Sequence, residues 1–108
     1  MTLSTHVLDA VRGRPAVGVP VRWDSRDASG WVTRAGARTD DDGRIRWSDG
    51  PAAGDHRLVF DTAAWFATAG VTGFYPEVAI AFTVTDPEQH HHVPLLLSPF
   101  AYSTYRGS

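Results

Sequence analysis

The chain alternates. Along V-G-V-P-V-R-W, Val17, Val19, Val21 and Trp23 fall on one side of an extended backbone. Along Y-P-E-V-A-I-A-F-T-V, Val78, Ile80, Phe82 and Val84 do the same, and in H-R-L-V-F the residues His56, Leu58 and Phe60 alternate with Arg57 and Val59. Period two marks a strand with one buried face. Clusters rich in Gly, Pro, Asp and Ser at 13–15, 25–30, 40–43, 49–54, 69–73, 86–89 and 98–99 divide the chain into short segments. The spacing predicts strands over about 3–9, 16–24, 31–38, 44–47, 55–60, 74–84, 90–97 and 100–106. The segment D-T-A-A-W-F-A-T-A-G departs from period two. Its alanines, an N-cap at Asp61 or Thr62 and a stop at Gly70 predict one short helix over about 62–69. About eight short strands and one helix make an all-β, two-sheet sandwich, expected as a single domain over 1–108.

Composition narrows the functions. Ten basic and 12 acidic residues give a net charge of −2, with no basic excess to hold nucleic acid or an anionic membrane. Every basic residue is arginine, so lysine Schiff-base chemistry is excluded. The absence of cysteine excludes disulfides, thiolate catalysis and thiolate metal sites. The first residues, M-T-L-S-T-H-V-L-D, have no basic n-region and no long apolar h-region, so no signal peptide is expected. No apolar run approaches the roughly 20 residues of a membrane span. A soluble, cytoplasmic protein is the expectation.

Some polar residues sit where a plain sandwich has no use for them. Over 90–97, period two separates His90, His92, Pro94 and Leu96 from His91, Val93, Leu95 and Leu97. The second set is the better core face, so His90 and His92 point to the other side. S-P-F-A at 98–101 is short enough for a hairpin that pairs the last two strands. His6 lies within T-H-V-L-D, Arg44 follows the turn D-D-D-G, and the chain closes on Y-R-G-S, 105–108. His56 reads most simply as a surface or packing residue. Histidines two apart on a strand can chelate, yet Glu88 is the only carboxylate nearby in the sequence. The acidic run 40–42 lacks the spacing of a calcium loop. No metal and no cofactor are expected. Several histidines, an arginine and a terminal serine on neighbouring strands are the parts for water activation with oxyanion stabilisation.

Two stretches carry a resemblance to a known family. They are H-V-L-D-A-V-R-G-R-P-A at 6–16 with T-D-D-D-G-R at 39–44, and H-H-H-V-P-L-L-L-S-P-F-A-Y-S-T-Y-R-G-S at 90–108, with F-Y-P-E-V at 74–78 between them. The chain resembles the transthyretin-related family, and within it the branch that hydrolyses 5-hydroxyisourate. The terminal Y-R-G-S is the most specific element, because the hormone-carrier branch continues past this point with other residues.

The resemblance implies a transthyretin-like (prealbumin-like) sandwich with the short helix between the fifth and sixth strands. It also implies a homotetramer, a dimer of dimers whose first, seventh and eighth strands line a central channel. By motif position it makes His6, Arg44, His90 and Ser108 catalytic, and assigns substrate contact or shaping to His92, Tyr105 and Arg106. His6, His90, His92, Tyr105 and Ser108 are expected at or beside one cavity, with His91 on the other face. The implied reaction opens a ring amide of 5-hydroxyisourate to give 2-oxo-4-hydroxy-4-carboxy-5-ureidoimidazoline, in urate degradation. His6 or His90 would be the base, Arg44 the oxyanion partner, and Ser108 a relay more readily than a nucleophile. The rival within the family is a small-ligand carrier without turnover.

Overall fold

The computed structural model describes residues 2–108. Its strands are β1 (Leu3–Asp9), β2 (Arg14–Pro15), β3 (Pro20–Asp27), β4 (Gly30–Arg38), β5 (Arg44–Trp47), β6 (Gly54–Phe60), β7 (Val78–Val84), β8 (His91–Ser98) and β9 (Ala101–Thr104). A single helix, α1 (Thr62–Thr68), follows β6. One sheet runs β2-β1-β8-β9, with β5 sharing the outer edge of β1. The other runs β4-β3-β6-β7 and is antiparallel throughout. This is the transthyretin-like two-sheet sandwich that the alternation and the resemblance point to.

The core lies between the sheets and is filled from both. Leu3, Val7, Leu95 and Leu97 come from the first sheet, and Val21, Trp23, Leu58, Phe60 and Val78 from the second. Burying such side chains is worth about 1.5–3 kcal/mol each before entropy is counted. The helix closes one end. Asp61 caps it by accepting from the Ala64 amide, Phe66 is buried against the core, and Gly70 ends it at a φ of 68°.

Where the elements differ from expectation, turn chemistry is the reason. The strand expected from 16 begins only at Pro20, because Gly18 turns the chain at a φ of 81° and leaves Val17 exposed. Residues 16–19 bond instead to Val7 and Thr39: the Ala16 amide donates to the Val7 carbonyl, and the Val19 amide to Thr39 Oγ1. The strand expected from 74 starts at Val78. Residues 75 and 76 serve the helix, accepting at their carbonyls from Thr62 Oγ1 and the Ala63 amide. The last strand stops at Thr104 instead of 106, and the two-residue β2 has no period long enough to read. Among the described residues no helix is long and apolar enough to cross a membrane.

One turn sets an important side chain. Asp40 Oδ1 accepts from the amides of Asp42 and Arg44, which folds D-D-D-G into a tight loop and starts β5 at Arg44. Gly43 completes the turn at a φ of 73°, and a Cβ there would lie 2.6 Å from the Val7 carbonyl oxygen. Gly43→Ala therefore combines left-handed strain of about 1–2 kcal/mol with a backbone clash. The thermal midpoint should fall by about 5–15 °C; an unchanged midpoint would show that the turn relaxes freely.

Candidate active site

Period two on three neighbouring strands builds the site. On β1, Leu3, Thr5 and Val7 are fully buried, so Ser4 and His6 face outward. On β5, Ile45 is buried and Arg44 and Arg46 face outward. On β8, His91, Val93, Leu95 and Leu97 are buried, so His92 faces outward. Register then aligns them. In the antiparallel pair, Ser4 lies opposite Arg46 and His6 opposite Arg44. In the parallel pair, Ser4 lies opposite His92 and His6 opposite Pro94.

The outward groups surround a cavity of about 200 Å³. Ser4, Arg44, Arg46, His90, His92 and Ser108 line it. His6 stands in the next register position, beside Arg44, and is close enough to act electrostatically on His92. Four strand-distant motifs thus meet: the first histidine motif, the D-G-R turn, the histidine triplet and the chain end. Two much larger depressions, of about 470 and 620 Å³, lie elsewhere. The larger contains His56, but both of its ring nitrogens are committed: Nδ1 accepts from Trp23 Nε1 at 3.1 Å, and Nε2 donates to the Ala52 carbonyl at 2.7 Å. His56 is therefore a buried packing residue, and chemistry rather than size selects the smaller cavity.

The histidines differ in environment. His91 is a core residue, with Nδ1 bonded to the Gln89 carbonyl at 2.9 Å. His90 and His92 stack with ring centroids 6.3 Å apart and planes 17° from parallel. Ser4 Oγ lies between them, 2.7 Å from His92 Nδ1 and 3.1 Å from His90 Nε2. His90 Nδ1 is hydrogen-bonded to Thr2 Oγ1. His90 thus has both nitrogens engaged, whereas His92 Nε2 meets no hydrogen-bonding partner among the described residues. Burial pushes the His92 pKa down, and the positive charge of Arg44 and the neighbouring His90 and His6 push it the same way. His92 is held neutral, which is the form a base requires.

The chain end reaches the cavity by one contact. After Thr104 the chain leaves the β9 ladder and pairs again only at Gly107, whose amide donates to the His92 carbonyl at 2.9 Å. The His92 ring covers Gly107 so closely that a Cβ there would sit 2.3 Å from His92 Cδ2. Ser108 is delivered to the cavity, while Tyr105 and Arg106 are not. They line a separate pocket of about 250 Å³ beside Ile80 and Phe82 of β7, behind His92. Arg106 donates there to Gln89 Oε1 at 3.1 Å. Tyr105, expected at or beside the cavity, lies beside it, in a pocket that shares His92 with it. The reason is the break in the ladder, which carries 105 and 106 to the far side of His92. Sequence reasoning missed Ser4, Thr2, Arg46 and Gly107; only the i, i+2 relation of Ser4 to His6 hinted at the first. Among the described residues no three of His, Asp and Glu converge as a metal-ligand set.

Two measurements check this geometry. Gly107→Ala should displace the His92 ring, seen as a shift of its imidazole resonances, with the thermal midpoint changed by no more than about 4 °C. Unmoved resonances would contradict the close packing. The depressed His92 pKa also has a sign. The unfolded imidazole takes up its proton near 6.5 and the folded one only at lower pH. His92 thus contributes stability above about pH 6.5 that is lost as pH falls through the folded value. Its NMR titration midpoint should lie below 6.5; a midpoint above it would refute the assignment.

Comparison with known proteins agrees with the fold. The model of the HIUase/Transthyretin family matches residues 3–107. The 5-hydroxyisourate hydrolase of Caulobacter vibrioides is 46% identical over 112 residues, covering 98% of this chain and 97% of that protein. The solved structure of Klebsiella pneumoniae 5-hydroxyisourate hydrolase superposes with a TM-score of 0.86 at 42% identity, covering 99% of this chain and 93% of that one. Sea bream transthyretin in complex with thyroxine superposes with a TM-score of 0.89 at 35% identity, covering 97% and 93% respectively.

Proposed function

This chain belongs to the HIUase/Transthyretin family, and from that premise we propose that it is a 5-hydroxyisourate hydrolase acting in urate degradation. The fold alone does not separate hydrolase from carrier, since both kinds of protein superpose on it. The side chains carry the reading. Arg44, His90, His92 and Ser108 converge on one cavity with His6 beside it. A carrier has no need of several titratable groups at that point.

The reaction is addition of water to a ring carbonyl followed by release of the ring nitrogen. Water must lose a proton as its oxygen attacks. Burial favours the neutral form of His92, and its Nε2 has no hydrogen-bonding partner among the described residues, so it is better placed to accept that proton than His6 or His90, the bases expected from the sequence. The carbonyl oxygen becomes negative. Arg44, a planar cation in the same cavity, holds and stabilises it. The leaving nitrogen then receives a proton, returned by the histidines or by the Ser108 hydroxyl. Ring opening yields 2-oxo-4-hydroxy-4-carboxy-5-ureidoimidazoline, whose new carboxylate faces Arg44 and Arg46. Tyr105 and Arg106 shape the site from behind His92. The step needs no redox change and draws on no cofactor.

The working form in this reading is a homotetramer, a dimer of dimers. A cavity of about 200 Å³ is smaller than the roughly 300–1,000 Å³ of typical ligand sites, so a facing copy is needed to enclose it. β7 and β9 are open edges on the same side of the sandwich, and all four residues of β9 are exposed. Such edges pair with other chains unless they are protected.

Freshly generated 5-hydroxyisourate, followed by its ultraviolet decay, provides the assay. Arg44→Ala and His92→Ala should each lower kcat/KM by about 10²–10³-fold with the fold intact. Removing Arg106–Ser108 should abolish turnover. Wild-type protein that leaves the decay unaccelerated would refute the hydrolase, and activity within about threefold of wild type in either variant would remove that residue's role. Light scattering on a sizing column should give four times the 11.8 kDa chain mass; a stable monomer would refute the assembly.

A further inference from the structure

His90 and His92 are not two independent bases. The Ser4 hydroxyl stands between their rings, within hydrogen-bond distance of His92 Nδ1 at 2.7 Å and His90 Nε2 at 3.1 Å. Beyond His90, the Thr2 hydroxyl bonds to Nδ1. A hydroxyl carries one proton, so Ser4 donates to one imidazole and accepts from the other. Two arrangements satisfy the same heavy-atom positions. In one, His92 Nδ1–H donates to Ser4, Ser4 donates to His90 Nε2, and His90 Nδ1–H donates to Thr2. In the other, every bond runs the opposite way. The first leaves His92 Nε2 unprotonated at the cavity; the second leaves it protonated.

We propose that His92, Ser4 and His90 form one proton relay, with Ser4 as its reversible joint and Thr2 as the hydroxyl that orients His90. The proposal rests on the hydrolase reading and deepens it. In the forward direction water gives a proton to His92 Nε2 as its oxygen bonds to the substrate carbonyl. The Nδ1 proton of His92 moves to Ser4 Oγ, and the hydroxyl proton of Ser4 moves to His90 Nε2. His92 and Ser4 end neutral and His90 ends as imidazolium, matching the negative charge gained by the carbonyl oxygen. The reverse sequence returns the proton through His92 Nε2 to the leaving ring nitrogen, so no proton is gained or lost over the cycle.

Charge placement gives the relay its advantage. A cation retained on His92 would be partly buried and would face Arg44 and His6, with Arg46 on the same strand face. Among the described residues no Asp or Glu lines that cavity. Within one chain His90 is exposed whereas His92 is half-buried, so an imidazolium loses less hydration on His90 than on His92. Passing the proton outward by one hydroxyl keeps Arg44 free to stabilise the oxyanion alone. Ser4 is a positioning residue in this scheme, since it acts through the histidines and need not touch substrate.

Ser4→Ala removes the joint and leaves both rings in place; Ser4→Thr keeps the hydroxyl. The relay predicts that Ser4→Ala lowers kcat about 10²-fold with KM changed by less than about threefold, and that Ser4→Thr restores kcat to within about threefold of wild type. A proton inventory in mixed water and heavy water should be bowed for wild type and linear for Ser4→Ala. On resting protein with nitrogen-15-labelled histidine, Ser4→Ala should shift the ring nitrogens of His90 and His92 together. Ser4→Cys, similar in shape and a poor donor, should reproduce the alanine result if that variant folds poorly. A kcat for Ser4→Ala within about threefold of wild type, or a linear wild-type inventory, overturns the relay. Failure of wild type to hydrolyse 5-hydroxyisourate instead overturns the hydrolase, while the nitrogen shifts still decide whether the rings are coupled.

Discussion

The parallel pairing of β1 with β8 is the constraint from which the site follows. Seven consecutive residues pair, from Leu3 with His91 to Asp9 with Leu97. Each inward side chain on one strand has an inward neighbour on the other, so the apolar core holds the register. A slip of one residue would bury His92 and expose Val93 and Leu95. The same register brings the outward residues Ser4 and His92 together. Core packing and the geometry of the candidate site are two faces of one ladder, and neither can shift without the other.

A second constraint is electrostatic. The cavity gathers Arg44, Arg46, His92 and the nearby His6 with little negative charge among them. Such a site favours an anionic or electron-poor ligand and disfavours a second fixed cation. His92 answers to that field, its pKa lowered by burial and by the charge of Arg44. The buried histidines have different tasks. His56 ties Trp23 to the 49–54 loop and stacks on Phe82, and His91 anchors the start of β8 through Gln89.

Glycine has two distinct uses here. At Gly43 the demand is conformational, a left-handed turn pressed against the Val7 carbonyl, and it places Arg44 at the first position of β5. At Gly107 the demand is space, since the His92 ring occupies the volume of a side chain. The motifs D-G-R and Y-R-G-S therefore each join a side chain of the candidate site to the residue that lets it approach.

Much of this was legible along the chain. Alternation over 91–97 is enough to tell the inward histidine from the outward ones, because burial of three aliphatic side chains outweighs the placement of any single imidazole. The D-D-D-G turn and the helix at 62–68 were likewise visible in local chemistry, and the resemblance supplied His6, Arg44, His90 and Ser108 as one set. Local patterns could not show where the last strand would stop, nor that Tyr105 would lie beside the cavity, behind His92, instead of in it. Nor could they show that Ser4 would stand between two imidazoles. That contact joins residues 88 positions apart, and strand period carries no information about which strand becomes the neighbour. Pairing is decided when the two hydrophobic faces close on one another, so only the folded sandwich could choose the hydroxyl that stands between the two imidazoles.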